Sequence, residues 1–353
     1  MQKDHILITG GTGFIGSHCC VELIQKGYNV ILLDNLSNSS IKVLDHIHEI
    51  SGVKPIFHEV DIKDYDRLFW IFEQYSESLQ CVVHCAALKS VAESFEKPLE
   101  YYENNVIGTI NILKAMNEFG CKNIVFSSSA TVYGNSETVP ITEKNDTKAI
   151  NPYGRTKLYV EELLKDIARG DHEWRVCILR YFNPVGAHES GKLGENPKGL
   201  ATNLVPHMLR VACGIEEKVT VFGGDYETPD GTCIRDYIHV MDLARGHEMA
   251  ISMMCNEIWG EKIMVLNLGT GVGYSVLEMI KMMRNVSGKE IHYVIGDRRE
   301  GDSMKCYADV KKAWDVLGWK AEKGLKEMCE DSWRWFEKSY KSSQDMDYEK
   351  PFH

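Results

Sequence analysis

Two residues at the start of a predicted helix have the types and spacing needed for proton transfer. The segment NPYGRTKLYVEELL covers residues 151–164, with Asn151 as a good N-cap and Pro152 at the first helical position. Residues four apart share one helix face, so the phenol of Tyr153 and the ammonium of Lys157 point to the same place. A phenol, with an ordinary pKa of about 10, becomes a usable base when nearby positive charge stabilises its phenolate. Such a pair also arises by chance, so the surrounding elements must distinguish a site from an ordinary helix start.

A glycine-rich loop between a predicted strand and a predicted helix is typical of dinucleotide binding. GGTGFIG covers residues 10–16, with glycines at 10, 13 and 16 that allow a tight turn, close approach of a pyrophosphate and packing of helix on strand. The next predicted strand ends in Asp34, about twenty residues on, where an acid accepts hydrogen bonds from the ribose hydroxyls. Its charge would repel the 2′-phosphate of NADP, which favours NAD. Asp61, at the end of the third strand, could face the adenine, although acids at strand ends also form ordinary turns.

The elements that position these residues follow from the alternation of short apolar runs with amphipathic stretches. The predicted strands are 5–10, 29–34, 55–61, 81–87, 123–129 and 175–182, and the predicted helices are 14–26, 65–76, 101–119, 153–169, 201–213, 239–254 and 274–287. This order predicts an α/β fold, a doubly wound Rossmann-type parallel sheet followed by a second, smaller mixed α/β substrate domain. We expect the NAD-binding domain at 1–182, with part of 230–262 packing back onto it, the smaller substrate domain at 183–340, and a loose tail at 341–353.

Composition restricts the class of protein. The chain has 353 residues, 44% of them hydrophobic, with a formal net charge of −11 and a pI near 5.7. An acidic surface argues against nucleic acid and anionic membranes as partners. No apolar run approaches the ~18 residues that span a bilayer, and no signal-peptide pattern begins the chain, so we expect a cytoplasmic protein. The 11 cysteines are scattered without a CxxC pair, so neither a disulfide framework nor a metal site is expected.

Three motifs taken together resemble the extended short-chain dehydrogenase/reductase family. They are GxxGxxG at 10–16, SSSATVYG at 127–134, and the tyrosine and lysine four residues apart. The resemblance implies a catalytic triad of Ser129, Tyr153 and Lys157 with NAD as the cofactor. A hydroxyl at the carboxyl end of a parallel strand, where such sheets bind ligands, can hydrogen-bond the reacting oxygen.

Further motifs are similar to those of the UDP-galactose 4-epimerases within that family. They are HCAALKSVAES (84–94), YYENNVIGT (101–109), RYFNPVGAH (180–188), NLVPHM (203–208), DGTCIRDYIHVMDLARGH (230–247) and RREGD (298–302). The likeness runs from about residue 5 to about residue 335. It implies a homodimeric enzyme that interconverts UDP-galactose and UDP-glucose through a 4-keto intermediate, with NAD regenerated in each turnover.

The resemblance also implies a set of binding residues. The NAD site would contain Tyr153 and Lys157 together with Gly10, Gly13, Phe14, Ile15, Gly16, Asp34, Asn35, Asp61, Ile62, Lys89, Asn104 and Tyr181. The UDP-hexose would be held by Ser129, Asn183, Asn203, Arg235, Arg299, Asp302 and Cys306. Arginines suit a diphosphate because it accepts forked, charge-assisted hydrogen bonds.

Cys306 is the one departure from the family pattern, because some members carry Tyr at this position. Its small side chain would leave space for the 2-acetamido group of UDP-GlcNAc or UDP-GalNAc, which predicts a dual-range epimerase. The alternative is a buried thiol that only fills the core.

Two other functions remain open. A nucleotide-sugar 4,6-dehydratase or a UDP-glucuronate decarboxylase would share the fold and the triad, but the dehydratase usually has an acidic pair after a Thr where this chain has SSSAT, residues 127–131. An NAD-sensing regulatory protein could keep the glycine loop without turnover. Such proteins often lose the Tyr–Lys pair, which this chain retains.

Overall fold

The structure is a computed structural model that describes residues 5–136, 138–198, 203–256, 260–299 and 302–345, with side chains as far as residue 340. Its strands are β1 (His5–Thr9), β2 (Asn29–Asp34), β3 (Ile56–Glu59), β4 (Leu79–His84), β5 (Asn123–Ser129), β6 (Arg175–Tyr181), β7 (Asn183–Val185), β8 (Val219–Phe222), β9 (Ile234–His239), β10 (Ile263–Leu268), β11 (Gly273–Ser275), β12 (Tyr293–Gly296) and β13 (Lys305–Cys306). Its α-helices are α1 (Phe14–Gln25), α2 (Val43–Ser51), α3 (Tyr65–Tyr75), α4 (Val91–Glu96), α5 (Pro98–Tyr102), α6 (Gly108–Glu118), α7 (Pro152–Gly170), α8 (Leu204–Ala212), α9 (Val240–Cys255), α10 (Val276–Ser287), α11 (Lys311–Leu317) and α12 (Leu325–Asp345).

A seven-stranded parallel sheet organises the first half of the chain, in the spatial order β3-β2-β1-β4-β5-β6-β10. The strand order reverses between β1 and β4, which is where sheets of this kind open a ligand crevice. The strands are almost continuously apolar because helices cover both faces. Ile6 and Ile8 pack with α1 and α9 on one face, whereas Leu7 packs with α3 and α6 on the other. The predicted Rossmann-type α/β fold is confirmed.

The seventh strand comes from a part of the chain where the sequence pattern indicated no strand. β10 has the sequence IMVLNL and pairs with β6 at the edge of the sheet. The preceding helix, α9, packs against α1 in the core of the same sheet. The helix α9 therefore packs on the first sheet and β10 is part of it, and β10 lies beyond the segment 230–262 that the sequence indicated.

Three predicted segments differ from the structure or extend beyond the described residues. The single helix predicted at 101–119 consists of the end of α5, a π-helix at Glu103–Ile107, and α6. In the predicted tail, residues 341–345 continue α12, and the rest lies outside the described residues. The predicted helix at 201–213 is observed from Leu204, and its residues 201–202 are likewise outside the described part.

The second half of the chain builds a smaller unit around β9. This strand pairs with β7 and β13 in parallel and with β11 in antiparallel orientation, and β8 and β12 form a separate parallel pair. Helices α8, α10 and α12 share a core that contains Met208, Met279 and Met328. In the described ranges, no helix is long and apolar enough to span a bilayer.

Candidate active site

A cleft opens at the carboxyl ends of β1, β2 and β4, on the side where the strand order reverses. Segment 194–197, from the second half of the chain, forms part of its wall. Ten of the fourteen residues predicted to bind NAD line this cleft: Gly10, Gly13, Phe14, Ile15, Gly16, Asp34, Asn35, Ile62, Lys89 and Asn104.

The glycine loop has the geometry that a pyrophosphate requires. Gly10 has a φ of +67°, and a Cβ added to Gly16 would lie 2.3 Å from the Gly10 carbonyl oxygen, so both positions need glycine. The first turn of α1 carries no acidic residue and no side-chain cap. Its backbone N–H groups and the positive end of the helix dipole therefore suit an anion, and the loop fits the phosphates of a dinucleotide.

Asp34 is held firmly at the edge of the cleft. Its carboxylate accepts hydrogen bonds from Thr12 N at 3.1 Å, from Leu36 N at 2.8 Å and from Ser39 Oγ at 3.0 Å. Asp61 does not line the cleft, but its carboxylate accepts a hydrogen bond from the Asn35 amide at 3.1 Å. Asp34 thus lines the cleft, whereas Asp61 lies outside it and holds the side chain of Asn35.

The three residues of the predicted triad come together at the carboxyl end of β5. The strand ends at Ser129, and α7 begins where Asn151 Oδ1 accepts a hydrogen bond from Gly154 N at 2.7 Å. The Ser129 hydroxyl, which accepts hydrogen bonds from Thr131 N and Thr131 Oγ1, lies close enough to the phenol of Tyr153 to affect its pKa. Lys157 Nζ lies 5.9 Å from the centre of the Tyr153 ring. The N-cap at Asn151 thus starts α7 at the point where the side chains of Tyr153 and Lys157 lie against the end of β5.

Burial dominates the electrostatics of this pair. It raises the pKa of Tyr153 to about 12, and the nearby Ser129 hydroxyl opposes that rise only in part. Burial also lowers the pKa of Lys157 to about 8, against the opposing effects of Cys85 and Glu161. At neutral pH the phenol is therefore protonated in the protein alone, and further positive charge in the cleft is needed to make it a good base.

Lys157 is anchored by a contact that the sequence did not indicate. Its Nζ donates a hydrogen bond to the Ser127 carbonyl at 2.7 Å, and only 4% of the residue is exposed. Asn105, in the π-helix, donates to Thr156 Oγ1 at 3.0 Å and accepts from Leu88 N at 2.8 Å, which connects α7 to the loop after β4. No local sequence signal identifies Asn105, because its role depends on the extra residue in the π-helical turn.

Two predicted NAD residues make contacts within the protein. The Tyr181 hydroxyl lies 2.9 Å from His247 Nε2 in the core, and its side chain does not line the cleft. Lys89 Nζ donates to Glu195 Oε1 at 2.7 Å, and the Asn203 amide donates to the same oxygen at 2.9 Å. One carboxylate therefore connects a predicted cofactor residue with a predicted substrate residue.

Apart from Ser129, the predicted UDP-sugar residues fall into two groups, one around β9 and β13 and one exposed to solvent. Arg235 lies on β9, with its Nη2 3.5 Å from Asp302 Oδ1, and Cys306 on β13 is its register partner. The exposed group consists of Asn183, at the start of β7, Asn203, at the N-terminus of α8, and Arg299. The Arg299 guanidinium lies 4.1 Å from the centre of the Phe222 ring, a planar platform that the sequence did not indicate.

The thiols and the potential metal ligands do not form a site. All 11 cysteines are free, and burial raises the pKa of Cys306 to about 11 although Arg235 lowers it. Among the described residues, no group of three or more His, Cys, Asp or Glu side chains could hold a metal ion.

Known proteins resemble this chain over almost its full length. It is 52% identical over 330 residues to the UDP-glucose 4-epimerase of Bacillus subtilis (strain 168), a match that covers 94% of this chain and 96% of that protein. The chain belongs to the UDP-glucose 4-epimerase family. The resemblance inferred from the sequence motifs is confirmed.

Solved structures agree with this assignment. The UDP-glucose 4-epimerase of Stenotrophomonas maltophila, with bound NAD and formylated UDP-arabinopyranose, has a TM-score of 0.92 and 44% identity over 96% of this chain and 99% of that one. The enzyme of Bifidobacterium longum in complex with NAD+ and UDP has a TM-score of 0.90 and 47% identity, over 95% and 99% of the two chains. A broader family profile, described as GDP-mannose 4,6 dehydratase, matches residues 7–332.

Proposed function

We propose that this protein is a UDP-glucose 4-epimerase that interconverts UDP-galactose and UDP-glucose with NAD as its resident cofactor. The observation that carries the proposal is the placement of Ser129, Tyr153 and Lys157 together at the carboxyl end of β5. They lie in a fold whose glycine loop fits a dinucleotide, in a chain 52% identical to an epimerase.

Each residue of the triad has a distinct part in the reaction. Tyr153 takes the proton of the sugar 4-hydroxyl, and Ser129 hydrogen-bonds the same oxygen. The Lys157 ammonium favours the phenolate through its positive charge. NAD, when bound, would supply the hydride acceptor for C4 and a second positive charge beside the phenol. Loss of the 4-hydroxyl proton to Tyr153 and of a hydride from C4 would leave a 4-keto sugar. Return of the hydride to the opposite face, after the sugar turns about its glycosyl-phosphate linkage, would complete the epimerisation.

The cofactor is held by the residues that surround the cleft. The N-terminus of α1 and the loop at Gly10–Gly16 would hold the pyrophosphate. Asp34 would accept hydrogen bonds from the adenosine ribose, with Asn35 and Asp61 beside it. The remaining contacts are assigned to Ile62, Lys89, Asn104 and Tyr181.

The substrate is anchored at its nucleotide end so that the sugar can turn. Arg235 and Arg299 would bind the diphosphate, with Asp302 orienting Arg235. Asn203, whose amide donates to Glu195, would add a further contact to the UDP-sugar. Asn183 would contact the sugar. These arginines give an acidic protein a local basic pocket for an anionic substrate.

We assign Cys306 to the sugar end of the pocket. It is half-buried and is the register partner of Arg235, so it lies on the strand next to the proposed diphosphate ligand. A thiol occupies much less space than a phenol at this position. The enzyme is therefore expected to accept UDP-GlcNAc and UDP-GalNAc as well.

We also propose that the protein is a homodimer in the cytoplasm. Phe95, Leu99, Ile107 and Tyr159 lie on neighbouring helices and expose 49%, 83%, 51% and 53% of their surface. A surface patch of this kind is costly to leave in water, and two copies can bury it symmetrically. The 11 free thiols are typical of a reducing compartment. Leu99→Glu is expected to produce monomers in sedimentation experiments, and an unchanged mass would argue against this surface.

The alternatives are less well supported. A 4,6-dehydratase needs a further acid–base pair, but Ser128, Ser129 and Ala130 precede Thr131, which is followed by Val132 and Tyr133. An NAD-sensing regulator would not need Lys157 buried against the end of β5.

The proposal is tested by incubating purified protein with UDP-galactose and no added NAD. We expect UDP-glucose to form, because the cofactor is regenerated in each turnover. Tyr153→Phe provides the matched control. No UDP-glucose from the wild type when NAD is present would refute the proposed function.

A further inference from the structure

A buried polar row crosses three neighbouring strands beneath α7. Ser128 on β5, Arg180 on β6 and Asn267 on β10 are register partners, so they lie side by side on one face of the sheet. Glu161, on α7, lies against this row and is completely buried. Removing a carboxylate and a guanidinium from water is costly, so both groups need full hydrogen bonding.

The polar side chains of this row hydrogen-bond one another. Glu161 Oε1 accepts from Ser128 Oγ at 2.5 Å and from Arg180 Nε at 3.0 Å, and Oε2 accepts from Arg180 Nη2 at 2.6 Å. Arg180 Nη1 donates to the Tyr133 hydroxyl at 3.0 Å, which in turn donates to Asn267 Oδ1 at 2.6 Å. A pair of apolar side chains would often be just as stable in such a place, so stability alone does not explain these charges.

The row meets the catalytic residues through α7. Glu161 follows Lys157 by one helical turn, and both side chains contact the end of β5. Lys157 donates to the Ser127 carbonyl, and Glu161 accepts from the next residue of the strand. The residue after that is Ser129, whose hydroxyl lies close enough to Tyr153 to oppose the rise in the pKa of its phenol. Two adjacent contacts therefore fix the helix to the strand where the reacting groups meet.

We propose that Glu161, held by its ion pair with Arg180, is a positioning residue for the epimerase reaction, because it determines how α7 packs on β5. In this arrangement the phenol of Tyr153 stays within reach of Ser129. This inference rests on the proposed function and adds to it a residue that touches neither substrate nor cofactor.

The charge of Glu161 has a second consequence. Burial lowers the pKa of Lys157, and the nearby carboxylate opposes that shift. The other titratable groups that face Lys157 are His84 at the end of β4, Cys85 directly after that strand, and Tyr153 from α7. Loss of the carboxylate is therefore expected to let Lys157 lose its proton at lower pH.

The test uses the double variant Glu161→Gln/Arg180→Met, which removes both charges and avoids leaving one buried and unpaired. We expect a folded protein that retains NAD and has an unchanged KM for UDP-galactose. Its kcat should fall on the order of ten- to a hundredfold, because misplaced reacting groups react slowly. The alkaline limb of its pH–kcat profile should shift to lower pH. The matched control is Glu162→Gln, an exposed residue of the same helix, which should leave kcat and the pH profile unchanged.

A second variant separates the effect of the position of the Glu161 carboxylate from the effect of its charge. Glu161→Asp keeps the charge but withdraws the carboxylate by one methylene, so kcat should fall while the alkaline limb stays in place. A folded double variant with wild-type kcat and pH profile would overturn the inference, and so would wild-type kcat in Glu161→Asp. If the double variant does not fold, Glu161→Asp decides the question alone. Failure of the proposed function is a separate result, since the wild type itself would then not convert UDP-galactose.

Discussion

Replacing Tyr153 with Phe removes one oxygen atom from the active site and leaves the ring in place. The hydroxyl lies near Ser129, and the ring lies beside Lys157. Since the oxygen is the proposed proton carrier, we expect kcat to fall by about 10²- to 10⁴-fold, the range typical of lost acid–base catalysis. NAD retention and UDP affinity should change little, because neither depends on that oxygen.

The raised pKa of the Tyr153 phenol is the obstacle to its use as a base. With a pKa of about 12 in the protein alone, the Tyr153 phenol is ionised in about one molecule in 10⁵ at pH 7, a deficit of about 7 kcal/mol. A positive charge within ~4–6 Å lowers the pKa of an acid by about 1–3. Lys157 is already part of the environment that gives this value, so any further lowering of the pKa of the phenol toward the working pH has to come from the cationic ring of NAD when it binds.

The assay measures steady-state conversion of UDP-galactose together with single-turnover reduction of the bound cofactor. Tyr65→Phe, on α3 away from the cleft, is the matched control and should behave as the wild type. Both readouts should be slow in Tyr153→Phe, because proton removal accompanies hydride transfer. A folded, NAD-loaded Tyr153→Phe enzyme that turns over at the wild-type rate would refute the assignment of the base.

Three further outcomes are expected. Asp34→Ser should weaken NAD binding and reduce discrimination against NADP, as measured by cofactor titration, and unchanged values for both would contradict its role at the ribose. Cys306→Tyr should suppress turnover of UDP-GalNAc while sparing UDP-galactose, and equal loss of both would contradict the size argument. Burial lowers the pKa of Lys157 to about 8, so activity that needs its ammonium should decline as the pH rises through that value. Lys157→Met should turn over slowly at every pH and lack that decline. An unchanged alkaline limb in this variant would assign the limb to another titratable group.

Much of the fold could be predicted because the signals that define it are local. Apolar runs identified six of the seven strands of the parallel sheet, and the strand–glycine loop–helix pattern located the cleft. The segment at 263–268 is an equally apolar run, but it lies among loop-rich segments, and only tertiary pairing with β6 makes it part of this sheet. The π-helix at Glu103–Ile107 was hidden within a helical pattern, because one additional residue in a turn leaves the apolar spacing almost unchanged.

The candidate site likewise combines residues that a local pattern identifies with partners that it does not. Tyr153 and Lys157 stand out because both lie at the start of one helix with a good cap. The partners that set their geometry come from distant parts of the chain: Ser127 is 30 residues from Lys157, and Asn105 is 51 residues from Thr156. A pattern within one segment contains no information on such contacts.

The fate of the hydrogen at C4 tests the central claim most directly. UDP-galactose carrying deuterium at C4 is converted by the purified protein in ordinary water, and the product is examined by NMR and mass spectrometry. If Tyr153 handles the proton while the hydride passes to the bound cofactor and back, the deuterium will be found at C4 of UDP-glucose. Loss of the label to solvent, or its appearance at C6 of a deoxy sugar, would contradict the account.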